Sequence, residues 1–108
     1  MEVLFSSRRL RDTCASEREM VRQFGAVRAR RVALRLQQLR VAETLDDLRA
    51  MTGRCHLLGG DRSGSLALDL DGPYRLIFRP AEWLEDASGR LDWTGVKSVV
   101  VLEISNYH

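Results

Sequence analysis

The chain has 108 residues, enough for one compact domain that buries roughly 60–70 % of its unfolded surface without disulfide staples. Hydrophobic residues at 44 % and charged residues at 30 % exclude a disordered tail and a fibrous repeat, and no apolar run approaches the roughly 20 residues that cross a bilayer. The net charge of +2 conceals a division: ten arginines oppose three acids between residues 8 and 40, whereas two basic residues oppose five acids from residue 81 onward.

The opening Met1-Glu2-Val3-Leu4-Phe5 lacks the basic region of a secretory signal, which points to a cytoplasmic protein, and Cys14 and Cys55 read as free thiols. Residues 2–6 alternate as a short strand, and Ser7 opens a helical stretch through Leu10 and Cys14. Ser16 and Glu19 have the capping-box spacing ahead of Met20, Val21 and Phe24, and Gly25 is a helix stop. The clearest helix runs from Ala26 to Val41: Ala29, Val32, Leu36 and Leu39 form its apolar face, with Arg28, Arg31 and Arg35 on an adjoining one. Thr44 and Asp47 repeat the capping spacing before a brief helix that Gly53 ends.

Thereafter the period changes to two. Leu66, Leu68 and Leu70 alternate with Ala67 and Asp69, Asp71-Gly72 signals a hairpin, and Tyr74, Leu76 and Phe78 alternate with Arg75, Ile77 and Arg79 up to Pro80. Residues 80–95 are a polar connection, and Val96 to Ile104 is apolar enough for a central strand. One strand, then helices, then three strands predict a single α+β domain over residues 1–108, with the N-terminal helices on one face of an antiparallel sheet.

The sequence holds two histidines, His56 before a glycine-rich loop and His108 after Asn106-Tyr107. Cleavage of RNA by its own 2′-hydroxyl needs a base, an acid and cations around the crowded phosphate, which two histidines, a tyrosine and strand arginines could supply. The plainer alternative is a pair of ordinary surface histidines. Arg75 and Arg79 share one side of their strand, either as a phosphate clamp or as a solvated face, and Arg62 is either a phosphate contact or a turn residue. Tyr107, Tyr74, Trp83 and Trp93 are candidates for stacking on bases, although alternation assigns Tyr74 to the core. Ligand spacing for a metal is missing, and the loop at residues 59–64 lacks the ending of a nucleotide-binding motif, so neither metal nor cofactor is expected.

Three segments resemble the HigB-like killer proteins, toxins of type II toxin–antitoxin systems within the RelE/ParE superfamily. They are Arg54-Cys55-His56 through Gly59-Gly60-Asp61-Arg62-Ser63-Gly64, then Asp71-Gly72-Pro73-Tyr74-Arg75-Leu76-Ile77-Phe78, then Leu102-Glu103-Ile104-Ser105-Asn106-Tyr107-His108. The resemblance extends to Ser6-Ser7 and to Thr44-Leu45-Asp46-Asp47-Leu48.

That resemblance implies a small RelE/ParE-like α+β fold and ribosome-dependent cleavage of mRNA. It also implies a HigA-like helix-turn-helix antitoxin in a toxin–antitoxin hetero-oligomer. By matching position, His56 and His108 are the proton-transfer residues, Arg75 stabilises the phosphate, and Tyr107 stacks on or positions a base. Arg28, Arg31, Arg35, Arg62 and Arg79 are the residues expected to meet RNA or the ribosome. Two departures weaken a nuclease: Leu58, Gly59 and Gly60 stand where the family carries a lysine, and Asn106 stands where it usually has aspartate. The alternative is a non-catalytic homologue that binds the antitoxin. A gyrase poison is disfavoured, because such superfamily members lack the terminal Tyr-His.

Overall fold

A computed structural model of the chain describes residues 1–106, so Tyr107 and His108 lie outside the described residues. Helices α1 (Arg8–Cys14), α2 (Glu17–Phe24) and α3 (Ala26–Val41) follow strand β1 (Glu2–Phe5). The helix starts are those the sequence predicts: the Ser7 hydroxyl accepts from the Leu10 amide at 3.1 Å, and Ser16 accepts from Glu19 at 3.1 Å. Gly25, at φ 82°, makes the turn between α2 and α3 that a side chain would resist. A 3₁₀ helix, Leu45–Ala50, comes next, and the Asp47 carboxylate accepts from the Glu43 amide at 2.8 Å.

The sheet has five strands in the order β1-β5-β4-β3-β2, with β2 at His56–Leu57, β3 at Leu66–Asp69, β4 at Tyr74–Pro80 and β5 at Ser98–Asn106. Strands β2 to β5 pair antiparallel, and three of them, β3, β4 and β5, are strands the sequence predicts, whereas β1, expected in the antiparallel sheet, is parallel. It lies beside β5, pairing Glu2 with Ser98 and Phe5 with Val101. The sequence carried no sign of β2, because a strand of two residues is too short for alternation to register. The hairpin between β3 and β4 is longer than a two-residue turn: the Leu70 amide donates to the Tyr74 carbonyl, leaving Asp71, Gly72 and Pro73 outside the ladder.

One sheet face packs on the helices. Val32, Leu36 and Leu39 of α3 meet Leu66, Leu68, Leu76, Phe78, Val99 and Val101 in a fully buried core, completed by Leu45 and Leu48. On the opposite face a small apolar floor of Ala67 and Ile77 is covered by Leu58 and Leu102. The register shifts between Ile77 and Phe78, which face Glu103 and Val101, so Leu102 is the extra residue of a bulge and joins that floor. Leu91 is buried, and Trp93 packs against the main core beneath the Arg49 guanidinium, 4.1 Å from its centre, anchoring the long connection before β5. Among the described residues no helix is long and apolar enough to cross a membrane.

Candidate active site on the open sheet face

Strand register assigns the polar residues of the open face. His56 lies opposite Ala67, Asp69 opposite Arg75, and Arg75 opposite Ser105. Directly opposed side chains share a sheet face, and alternation adds Ile77 and Glu103 to the same set. This face therefore carries an imidazole, guanidinium groups and carboxylates around the apolar floor.

Asp69 is its hub. Arg54 grips the carboxylate with both arms, Nε to Oδ2 at 2.9 Å and Nη2 to Oδ1 at 3.1 Å, while Arg75 Nε reaches Oδ1 at 2.9 Å. The main chain of Asp69 is engaged as well: its amide donates to the Gly53 carbonyl at 2.8 Å, and its carbonyl accepts from Arg35 Nε at 2.7 Å. Burial raises the Asp69 pKa, but the Arg54 hydrogen bonds and the charges of Arg75, Arg54 and His56 outweigh it and hold the carboxyl below its ordinary value. Two guanidinium groups against one carboxylate leave the cluster with a positive charge at neutral pH.

The backbone ahead of His56 is strained. Arg54 has φ 50°, a left-handed conformation that costs a residue with a side chain about 1–2 kcal/mol. Gly53 before it has φ 108°, and a Cβ there would come within 2.9 Å of Arg35 Nε. Glycine is required at that position for both reasons. The turn carries the Arg54 carbonyl to His56 Nδ1 at 2.7 Å.

The arginines expected to meet RNA differ in exposure and partners. Arg31 is exposed. Arg28 is half-buried, paired with Asp71 through Nε and Nη2 at 3.0 Å each, and its guanidinium carbon lies 3.3 Å from the Tyr74 ring centre. Arg35 is only 4 % exposed and corrects the expectation of a basic surface ridge. It donates to Asp69, Gln38 and Thr52, so its charge serves the interior. Burial, then the neighbouring Arg31 charge, lower its pKa against the pull of Asp69. Arg62 pairs with Glu103 across the open face, and Arg79 is exposed, with Nη1 on the Pro80 and Ala81 carbonyls at 3.0 and 3.2 Å.

Cys55, beside His56, is no activated nucleophile: burial pushes its thiol up to about 12, against a small opposing effect of Arg49. Trp83 is exposed and donates from its ring nitrogen to Glu85 at 3.2 Å, and Tyr74 packs partly into the core. Arg54 and Asp69 escaped sequence reasoning as site residues. A signal for Asp69 was available, because folding the chain about Asp71-Gly72-Pro73 sets residue 69 against residue 75.

No family model matches the chain, and no curated protein does. Among solved structures the chain is similar to a YoeB/ParE toxin from Agrobacterium tumefaciens, with a TM-score of 0.60 at 12 % identity over 100 % of both chains. At that identity the likeness is one of fold.

Proposed function

We propose that the chain is the toxin of a type II toxin–antitoxin pair, and that it cleaves mRNA on the ribosome through attack of the RNA 2′-hydroxyl. The observation that carries this reading is the meeting of His56 with the Arg54–Asp69–Arg75 cluster on the open face of a toxin-like sheet. An imidazole beside a surplus of guanidinium charge is what proton transfer next to a phosphodiester needs. In this mechanism His56 and His108 exchange protons with the 2′-oxygen and the leaving 5′-oxygen. Arg75 stabilises the phosphorane, Tyr107 positions a base, and Arg31, Arg62 and Arg79 contact RNA or the ribosome. Two of these residues, Tyr107 and His108, follow Asn106, which pairs with Tyr74 next to Arg75 in the register. A HigA-like antitoxin is the neutralising partner, and the compartment is the cytoplasm.

Induced expression tests the proposal. Growth arrest with cleaved transcripts is expected of the wild type and is lost in His108→Ala and in Arg75→Ala; undiminished arrest in both variants removes the nuclease reading. A second reading, a non-catalytic antitoxin-binding module, draws on the pairing of Arg54 and Arg75 with Asp69 and of Arg62 with Glu103, since a carboxylate partner competes with phosphate. Co-purification with the antitoxin and unimpaired growth on induction select it.

A further inference from the structure

We infer that the Gly53–Arg54 turn fixes the tautomer of His56, holding its proton on Nδ1 and leaving Nε2 as the ring nitrogen that exchanges protons with a substrate. The catalytic meaning of this device rests on the proposed function; the tautomer is a property of the free chain.

A carbonyl oxygen only accepts, so the 2.7 Å contact between His56 Nδ1 and the Arg54 carbonyl requires the proton on Nδ1. In the neutral ring Nε2 then keeps its lone pair. A solvated imidazole samples both neutral forms, so a single tautomer depends on how firmly that carbonyl is held. Three restraints hold it, and all converge on Asp69. The Gly53 carbonyl accepts from the Asp69 amide at 2.8 Å. The Arg54 guanidinium forks onto the Asp69 carboxylate at 2.9 and 3.1 Å. Arg35 fills the space under Gly53 and binds the Asp69 carbonyl at 2.7 Å. His56 is itself tied to the same strand through its pairing with Ala67. Donor and acceptor are thus both fixed to β3.

The positive φ of Arg54 then has a use. At 50° it directs the carbonyl toward the imidazole two residues on, and the grip on Asp69 keeps an arginine in a conformation that glycine would adopt without strain. Arg54 and Asp69 are positioning residues in this scheme. Arg54 acts through its backbone carbonyl, which its guanidinium helps to hold, and this separates its role from that of Arg75.

Two substitutions at one position isolate the effect. Arg54→Gly and Arg54→Val both remove the guanidinium, but glycine accepts positive φ and a β-branched residue does not. The ring ¹⁵N shifts of labelled histidine, recorded above the pH where imidazole titrates, report the tautomer, and a His108→Ala background isolates the His56 signals. The wild type is expected to show the Nδ1–H form, Arg54→Gly to keep most of it because the Gly53 and Arg35 restraints remain, and Arg54→Val to show a mixture of tautomers. RNA cleavage, measured with His108 present, should fall at least about tenfold further in Arg54→Val than in Arg54→Gly. A wild-type His56 protonated on Nε2, or identical tautomer populations in the two variants, overturns the inference. Should Arg54→Val fail to fold, the wild-type and Arg54→Gly spectra decide it. An Nδ1–H ring in a chain that cuts no RNA leaves the device standing and removes the proposed function. Cleavage by a chain whose His56 carries its proton on Nε2 does the reverse.

Discussion

Arg35 of α3 and Asp69 of β3 meet where Nε of the arginine donates to the main-chain carbonyl of the aspartate at 2.7 Å. This contact ties the longest helix to the strand that organises the open face. It also explains why a residue in register with a basic helical face is buried: its charge satisfies a carbonyl, Gln38 and Thr52 beneath the Gly53 turn.

Arg35→Ala should therefore destabilise the fold. Removing a buried cation with several hydrogen bonds strands a carbonyl and two side chains, a loss of about 2–4 kcal/mol. Arg35→Lys should recover little of it, because an ammonium cannot serve acceptors spread around a planar fork. Urea unfolding gives the measurement. A midpoint within error of the wild type for Arg35→Ala, accompanied by weaker RNA binding, returns the residue to a surface role.

Asp69 makes stability depend on pH, and the sign follows from its lowered pKa. A carboxylate held below its unfolded value stabilises the fold fully above that value, about 3.9, and the contribution disappears as pH falls through the lower folded value. Asp69→Asn should lose about 1–2 kcal/mol at neutral pH, modest because the carboxylate is 29 % exposed and its partner Arg54 lies at the surface. Below pH 4 the wild type should converge on the variant. Thermal melts between pH 3 and pH 7 test this; parallel curves contradict it.

Most of the fold was legible in the sequence because its elements are long or well punctuated. The apolar repeat of Ala29, Val32, Leu36 and Leu39 marks α3, and the serine caps mark α1 and α2. Alternation around Asp71-Gly72 marks β3 and β4. β2 escaped because two residues hold no period, and the parallel docking of β1 escaped because pairing between chain ends leaves no local trace. For the site, spacing placed Arg75 on the open face. It misplaced Arg35, because an arginine at helical spacing looks the same whether its partner is water or a carbonyl on another element. Arg54 was hidden for a similar reason: its partner Asp69 lies fifteen residues away, and no local pattern marks its positive φ.

If the chain is a nuclease, His56→Ala should lower cleavage about 10²–10⁴-fold, the usual contribution of a positioned proton-transfer group. His56 lies on the open face and outside both apolar clusters, so stability should change little. Cleavage of a defined transcript by purified chain and ribosomes, with a melting curve beside it, separates the two effects. A variant that melts normally and cuts normally excludes His56 from the chemistry.

Salt dependence distinguishes the arginines that meet polyanions from those that support the fold. Arg31 is exposed on α3, beside an Arg28 already committed to Asp71 and Tyr74. A guanidinium that neutralises one phosphate of single-stranded RNA contributes about 0.7 to the slope of log K against log salt. Arg31→Ala should lower the slope by about that amount and weaken binding alike across sequences, without moving the melting temperature. Arg28→Ala should instead loosen the β3–β4 hairpin, through loss of a two-armed ion pair and a ring contact, and leave the slope nearly unchanged. Equal slope changes in the two variants contradict this division and make the whole helical ridge, Arg28 included, a phosphate-binding surface.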